Sequence, residues 1–243
     1  MNKRGKKRIL HTNRNMMKLI NILCIETSTD VCSVAISQNG KLLSCVEKVN
    51  TQNHAEEITL MIDQSLKEAK LSLKELSAVA VSAGPGSYTG LRIGVNTAKG
   101  LCFALEIPLI GLSSLAILAN SIENCEEGSI IIPMIDARRM EVYTATFDHN
   151  YEELTPTQAL IIDENFAQSH ENDSIYLCGN GYQKAMEYLK SLKIQSGHQL
   201  ASAVYMVKIS HSYFNDSKFV NYLNFSPYYF KEPNITKPAS RNT

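Results

Sequence analysis

The stretch ILCIETSTDVCSVAISQNGKLLSCVEKV, residues 22–49, decides the fold of this 243-residue chain. It contains three apolar runs, separated by a polar turn that begins at Glu26 and by the dipeptide Asn39-Gly40. Both residues of that dipeptide tolerate positive φ, so it predicts a tight β-hairpin. We therefore expect a three-stranded β-meander whose first strand is buried and ends in an acid.

A similar pattern returns in IIIPMIDARRMEVYTATFDHN, residues 130–150. A strand again ends in an acid, Asp136, and a second strand runs to a turn at Asn150. Glu26 precedes Asn39 by 13 residues, and Asp136 precedes Asn150 by 14. This repetition predicts an α/β protein of two lobes, each with a mixed β-sheet and flanking helices. The actin-like ATPase (ASKHA, ribonuclease H-like) fold is built in this way.

Helical spacing separates the strands. The segment HAEEITLMIDQSLKEAK, residues 54–70, places apolar side chains on one helical face, and similar patterns occur at 182–192 and 201–214. The predicted organisation has four parts. A basic leader over 1–16, either untranslated or disordered, precedes a first, partner-binding lobe over 17–111. A second, reduced lobe follows over 112–233, with a helix near 201–214 that packs back on the first lobe, and a tail covers 234–243.

Charge is distributed unevenly along the chain. Its 24 basic and 24 acidic residues balance, but seven of the basic ones lie in the first 18 residues. The remainder carries 17 basic and 24 acidic residues, a net charge of about −7, which predicts a poor nucleic-acid binder on its own account. No apolar run approaches the roughly 18–20 residues that a membrane span needs.

The six cysteines form no C-x-x-C pair, and most of them lie inside apolar runs. This pattern is typical of reduced, buried thiols rather than of a disulfide framework or a metal site. We therefore expect a cytoplasmic protein.

The segment SAGPGSYTGLRIG, residues 82–94, has the outline of a phosphate-binding loop between a strand and a helix. No lysine follows as in a P-loop, and Gly90 stands one position too far from Gly86 for a dinucleotide fingerprint. Pro85 also removes a backbone N–H that a phosphate would need. From Gly90 onward, a ridge of small residues instead runs along the helix through Gly94, Ala98 and Cys102, and it packs either on the protein's own sheet or a neighbouring helix, or on a partner helix.

The sequence contains few candidates for catalysis. The Glu26 turn has a longer acid and no glycine where an actin-like kinase has D-x-G-[ST]. His54 is followed at i+4 by Ile58, so a two-histidine metal site is not predicted. Asp136, Arg138 and Arg139 form a cluster that is either an internal ion-pair network or a site. Arg92, in the first turn of a helix, suggests an acidic neighbour or ligand.

Together, ILCIETSTDVCSVAI, NHAEEI, SAGPGSYTGLRIGVNTAKGLCFAL, IDARRMEVY and SPYYFKEP resemble the YeaZ-like (TsaB) family of bacterial tRNA threonylcarbamoyladenosine biosynthesis proteins. The resemblance covers residues 17–233. It departs at Met140, where the family pattern D-A-R-x-G-E-V-Y has glycine, and this puts the local turn geometry in question.

The resemblance implies an actin-like fold and a non-catalytic scaffold subunit without cofactor, metal or catalytic residues of its own. The implied partners are a TsaD-like catalytic subunit, a TsaE-like ATPase and, in isolation, a second copy of the chain. Threonylcarbamoyl is added to the adenosine beside the anticodon, and tRNA is reached only through the complex, with no membrane involved. His54 corresponds to the first histidine of the TsaD metal motif.

The resemblance also places a partner surface on the first-lobe helices and a vestigial nucleotide loop beside them. The implied partner-binding residues are His54, Glu57, Ile58, Met61, Ser87, Tyr88, Thr89, Gly90, Arg92, Gly94 and Ala98, and the loop residues are Glu26, Thr27, Ser28, Gly84 and Gly86. An ATP-dependent phosphotransferase of the same fold is the alternative function, and direct tRNA contact by the basic leader is a further one.

Overall fold

The structure is a computed structural model. The leader predicted over 1–16 and the tail over 234–243 lie outside the described part of the chain. The described residues are 19–49, 54–170, 174–189 and 193–230.

The first lobe is built on a five-stranded sheet with the spatial order β3-β2-β1-β4-β5. The first three strands form the predicted antiparallel meander, and the last two run parallel to β1. Asn39 and Gly40 have φ of 49° and 73° in the β2–β3 turn, which confirms the hairpin. The strands are β1 (Asn21–Glu26), β2 (Val31–Gln38), β3 (Lys41–Val49), β4 (Ala78–Ser82) and β5 (Leu109–Leu112).

The second sheet repeats this arrangement with the order β8-β7-β6-β9-β10. Again the first three strands are antiparallel and the last two run parallel to the central strand. Two mixed sheets of the same topology confirm the predicted duplication. The strands are β6 (Ile130–Asp136), β7 (Glu141–Asp148), β8 (Glu153–Ile161), β9 (Ser174–Cys178) and β10 (Lys193–Ser196).

Strand β1 shows how the sheet faces are covered. All six of its residues are buried, so helices must pack on both faces. Because side chains alternate along a strand, Leu23 and Ile25 enter the core on one face while Ile22 and Cys24 enter the core on the other.

The helices fill the three resulting cores. Helices α1 and α2 cover the outer face of the first sheet. Helices α3 and α6 lie between the two sheets, where Leu115 and Met206 meet Ile22 and Ile131. The helices are α1 (His54–Ala69), α2 (Tyr88–Leu105), α3 (Ser114–Ala119), α4 (Glu164–Ser169), α5 (Tyr182–Ala185) and α6 (Met206–Asn215).

The helix predicted over 182–192 is wrong in length, because α5 ends at Ala185. Met186, one turn after Tyr182, is 42% exposed, so a longer helix would have no continuous apolar face to bury. Leu189 reaches the core of the second lobe from the chain that follows. Residues 190–192 lie outside the described part.

The chain after α6 returns to the first lobe, although the sequence assigned it to the second. The Val220 amide donates to the Leu109 carbonyl at 2.9 Å, and the Tyr228 amide donates to the Ala83 carbonyl at 2.8 Å. Between these points Phe225 packs on Gly111, where a side chain would collide with its ring. Residues 216–230 therefore form a strap that runs along β5, from Leu109 to Gly111, and then reaches the carboxyl end of β4 at Ala83.

Candidate functional site

A cleft of about 680 Å³ lies between the two lobes, at the ends of β1, β4 and β6. In an open α/β arrangement this is where ligands bind, outside the carboxyl ends of parallel strands. Four segments line it together with Asn180: the β1–β2 turn (28–30), the glycine loop with the start of α2 (85–89), the β6–β7 region (135–139, 141 and 143) and the end of the strap (228–230).

The predicted nucleotide loop is closed from within. The Ser28 amide donates to Glu26 Oε1 at 2.5 Å, and the Thr27 hydroxyl donates to the Gly90 carbonyl at 2.8 Å. The Ser87 amide, at the start of α2, donates to the Ser28 carbonyl at 2.7 Å. The first bond closes the β1–β2 turn on itself, and the other two hold the turn against the glycine loop, so none of these three donors points to a phosphate.

The glycines of this loop allow close backbone approach. At Gly86 an added Cβ would collide with the Ser28 carbonyl, and at Gly90 with the Thr27 carbonyl. At Gly94 it would collide with the Thr27 side chain. The small-residue ridge therefore packs on the protein's own β1–β2 turn, and of the two explanations that the sequence left open, the internal one describes this structure.

Gly84 makes a different close approach. It has φ of 108°, a conformation that side chains other than glycine rarely adopt. The strap carbonyl of Tyr228 lies 2.7 Å from where its Cβ would be. The loop is thus covered by the β1–β2 turn on one side and by the strap on another.

Several residues predicted to bind a partner are buried in the first lobe's own core. Ile58 and Met61 of α1 are each 1% exposed, and Ala98 of α2 is fully buried. Glu57 forms an ion pair with Lys48 of β3 at 3.3 Å. His54 begins α1, but its side chain lies outside the described ones. A partner cannot reach Ile58, Met61 or Ala98 without opening the core, which corrects their assignment as contact residues.

The start of α2 is occupied by an aromatic–arginine contact. The Ser87 hydroxyl caps the helix by accepting from the Gly90 amide at 3.2 Å. The Arg92 guanidinium lies 4.1 Å above the Tyr88 ring, and Arg92 Nε donates to the Tyr229 hydroxyl at 3.3 Å. Two tyrosines, not the expected acid, thus hold Arg92. Thr89 is exposed beside them.

The exposed faces of α1 and α2 carry apolar side chains that the sequence analysis did not single out. Leu60 and Phe103 are each 68% exposed. Gly100 lies three residues before Phe103 on α2. Among the described residues, no atom outside the helix lies within 4 Å of where a Cβ on Gly100 would be. These residues fall between the buried positions of each helix, so their helical phase is the signal that could have identified them.

The β6–β7 turn holds the acid–arginine cluster. Asp136 Oδ1 accepts from the Arg138 amide at 2.6 Å and from Lys184 Nζ at 2.5 Å. Arg138 and Arg139 both have left-handed backbones, with φ of 67° and 54°. Met140 is not among the residues of positive φ, so the turn does not need the glycine that the family pattern places there.

Glu26 is fully buried beneath its turn and does not line the cleft. Burial raises the pKa of Glu26 from 4.5 to about 6, against the opposing effect of hydrogen bonds from Ser28. Well below pH 4.5 the carboxyl is neutral in both the folded and the unfolded state. As pH rises from 4.5 to about 6, the unfolded chain ionises while the folded protein keeps its proton, so stability falls; above about pH 6 the carboxyl is ionised in both states and no further stability is lost.

We therefore expect Glu26→Gln to remove a pH-dependent loss of stability. Relative to the variant, the wild-type protein should lose about 2 kcal/mol of unfolding free energy between pH 4.5 and pH 7.5. Urea unfolding of both proteins at the two pH values measures this. A constant difference between them would show that Glu26 does not titrate in this range.

The part of the chain that the structure describes contains neither a metal-binding cluster nor a membrane-spanning helix. Among the described residues, no group of three or more His, Cys, Asp or Glu side chains is arranged to hold a metal ion. Within the same part of the chain, no helix has both the length and the apolar character that crossing a bilayer requires.

Comparison with known proteins agrees with this geometry. Residues 44–216 match the family described as TsaD: tRNA N6-adenosine threonylcarbamoyltransferase. The chain is 26% identical to the tRNA threonylcarbamoyladenosine biosynthesis protein TsaB of Haemophilus influenzae over 225 residues, 88% of this chain and 95% of that protein. It is 30% identical to the protein of the same name from Buchnera aphidicola subsp. Baizongia pistaciae, over 67% of this chain and 76% of the relative.

A solved structure has the same shape. YeaZ from Pseudomonas aeruginosa superposes with a TM-score of 0.70 at 25% sequence identity, covering 86% of this chain and 99% of that one. Together with the duplicated sheets, this likeness confirms the predicted two-lobed actin-like fold. On the family match, the curated relatives and the shared structure, the chain belongs to the TsaB, or YeaZ-like, family within the wider TsaD family.

Proposed function

We propose that this chain is a non-catalytic subunit of the system that makes threonylcarbamoyladenosine in tRNA, and that it binds a TsaD-like catalytic subunit. The relatives described above are tRNA threonylcarbamoyladenosine biosynthesis proteins, and this supports the assignment to that system. The observation that carries the scaffold role is the glycine loop, whose donors and close approaches are used by the chain's own β1–β2 turn and strap. A loop whose donors are used in this way has fewer N–H and O–H groups left for the phosphates of ATP.

The proposed partner surface is the exposed face of α1 and α2. Leu60 and Phe103 lie on helices that share the outer side of the first sheet, and exposed apolar side chains of this size favour a protein interface. Ser87, Tyr88, Thr89 and Arg92 lie at the near end of the same face, where the start of α2 meets the cleft. Because this chain matches the TsaD family itself, the contact would join two related lobes.

Other implied partners follow from the same surface. A second copy of the chain in isolation would use the face that the catalytic subunit covers in the complex, so the two should compete. A TsaE-like ATPase would join only the assembled pair, and tRNA would be modified only by the complex.

Light scattering on a sizing column tests the proposal. The purified chain is mixed with the TsaD-like protein of the same organism. We expect one peak at the heterodimer mass and the disappearance of any homodimer peak. Two unchanged peaks, together with magnesium-dependent ATP binding at micromolar affinity, would favour the alternative, an ATP-dependent phosphotransferase.

A further inference from the structure

A set of side chains borders the inter-lobe cleft, and all of them except Tyr88 and Arg92 lie outside the proposed partner surface. We call them the arginine–aromatic rim: Tyr88, Arg92, Arg138, Arg139, Tyr229 and Phe230. Both lobes and the strap contribute to it: all of these residues except Arg92 line the cleft, and Arg92 lies over the rings of Tyr88 and Tyr229.

On the first-lobe side, the rim is a stack of rings and a guanidinium. The rings of Tyr88 and Tyr229 are 4.7 Å apart, and Arg92 lies over both of them. Phe230 reaches towards the second lobe, with its ring 6.0 Å from that of Tyr143. Tyr229 and Phe230 nevertheless remain 41% and 44% exposed, so ring surface is left open at the cleft.

On the second-lobe side, the β6–β7 turn presents two arginines at a conformational cost. Left-handed backbone is unfavourable for arginine, and asparagine or glycine would occupy both positions with less strain. The turn is held in place because Asp136 binds the Arg138 amide and Lys184, while Lys184 Nζ also donates to the Arg139 carbonyl at 2.6 Å. Strain retained at exposed charged residues beside a cleft indicates a function for those residues.

The charge balance limits what the cleft can bind. Three acids, Asp30, Asp136 and Glu141, line the cleft together with Arg138 and Arg139, and Asp136 is ion-paired with Lys184. A duplex would need many phosphate contacts, and this nearly neutral cleft does not offer them. Open rings beside one or two guanidiniums instead suit an unpaired base with its phosphate, since every base has a face that can stack.

We propose that the arginine–aromatic rim binds one or two unpaired nucleotides of an RNA strand. The phosphates lie against Arg138 and Arg139, and a base stacks on Tyr229 or Phe230. The identity of the RNA as tRNA rests on the proposed function, whereas the chemistry of the rim does not. Through this site the folded chain itself would contact tRNA, in addition to the contact that the rest of the complex makes.

The test measures fluorescence anisotropy of a labelled anticodon stem-loop RNA and of a duplex of the same length, titrated with the full chain. We expect the stem-loop to bind more tightly than the duplex. The variant Arg138→Asn with Arg139→Gly should weaken stem-loop binding at least five-fold and reduce its salt slope by about 1.4, the value for two single-strand phosphates. Its melting temperature should stay the same or rise, because both new residues favour the turn.

Two variants separate stacking and charge. Tyr229→Ser should weaken stem-loop binding at least five-fold without changing the salt slope. The matched charge control is Lys67→Gln with Lys74→Gln, since Lys74 lies in the turn before β4, at the opposite end of that strand from the cleft. This control should bind RNA like the wild-type chain.

Equal binding of stem-loop and duplex, or unchanged binding by the Arg138/Arg139 variant, would overturn the proposal. So would tighter binding of free AMP or ATP than of RNA, which would assign the rim to a mononucleotide. RNA binding is measured on the chain alone, and the rim variants are also mixed with the TsaD-like protein. Failure of the wild-type chain to form the heterodimer, with its RNA binding intact, would count against the scaffold role only, whereas a rim variant that keeps the heterodimer and loses RNA binding supports a separate site.

Discussion

Gly90→Val should lower the free energy of unfolding by about 3 kcal/mol. An added Cβ at this position collides with the Thr27 carbonyl, which is backbone and cannot rotate away. The Thr27 hydroxyl donates to the Gly90 carbonyl, so a shift of either segment also disturbs that hydrogen bond. Urea unfolding followed by circular dichroism measures the change.

Gly100→Ala is the matched control on the same helix. Among the described residues, no atom outside its own helix lies within 4 Å of the position its Cβ would take, and the residue is exposed in the interior of α2. Alanine there should raise stability by about 1 kcal/mol through helix propensity alone. If both variants had the same stability as the wild type, the close approach of α2 to the β1–β2 turn would be wrong.

Leu60→Asp with Phe103→Asp should weaken binding to the TsaD-like subunit at least thirty-fold. A buried carboxylate at the centre of an apolar interface leaves an uncompensated charge, and truncated interface anchors commonly cost 2 kcal/mol or more each. Both side chains are mostly exposed in the free chain, so the fold itself should be little affected. Isothermal calorimetry gives the affinity, and thermal melting checks the fold.

Leu154→Asp provides the comparison for this prediction. Leu154 is an apolar residue of similar exposure, 55%, but it lies on β8 at the edge of the second sheet. We expect it to bind the partner like the wild-type chain. Unchanged affinity of the Leu60/Phe103 variant would show that these helices are not in the interface. If Leu154→Asp lost as much affinity as the Leu60/Phe103 variant, the loss would come from aggregation and not from a specific contact.

Local patterns predicted the strands and helices well where one chemical rule dominates. The Asn39-Gly40 turn needs only two residues that tolerate positive φ, and α1 needs only an apolar face such as that of Ile58 and Ile62. Short elements such as α3 and α4 were not predicted, because six residues carry too little periodicity to stand out.

The candidate site was predicted less completely. The sequence identified the glycine loop and the Asp136 cluster, but it could not tell whether Gly90 faces a partner or Thr27, since a ridge of small residues fits either surface. Tyr229 is 137 residues from Arg92 along the chain, and no local pattern predicts that a strap will bring the two together.

The sequence by itself determined the duplicated topology, because alternation of apolar side chains and turn chemistry act over a few residues and occur twice in the chain. It also determined the family, through motifs spread over most of its length. Only the tertiary structure decided that the glycine loop is closed from within, that Leu60 and Phe103 remain outside, and that arginines and aromatic rings from both lobes meet at one cleft. These features depend on packing between segments far apart in sequence, and no local propensity records such packing.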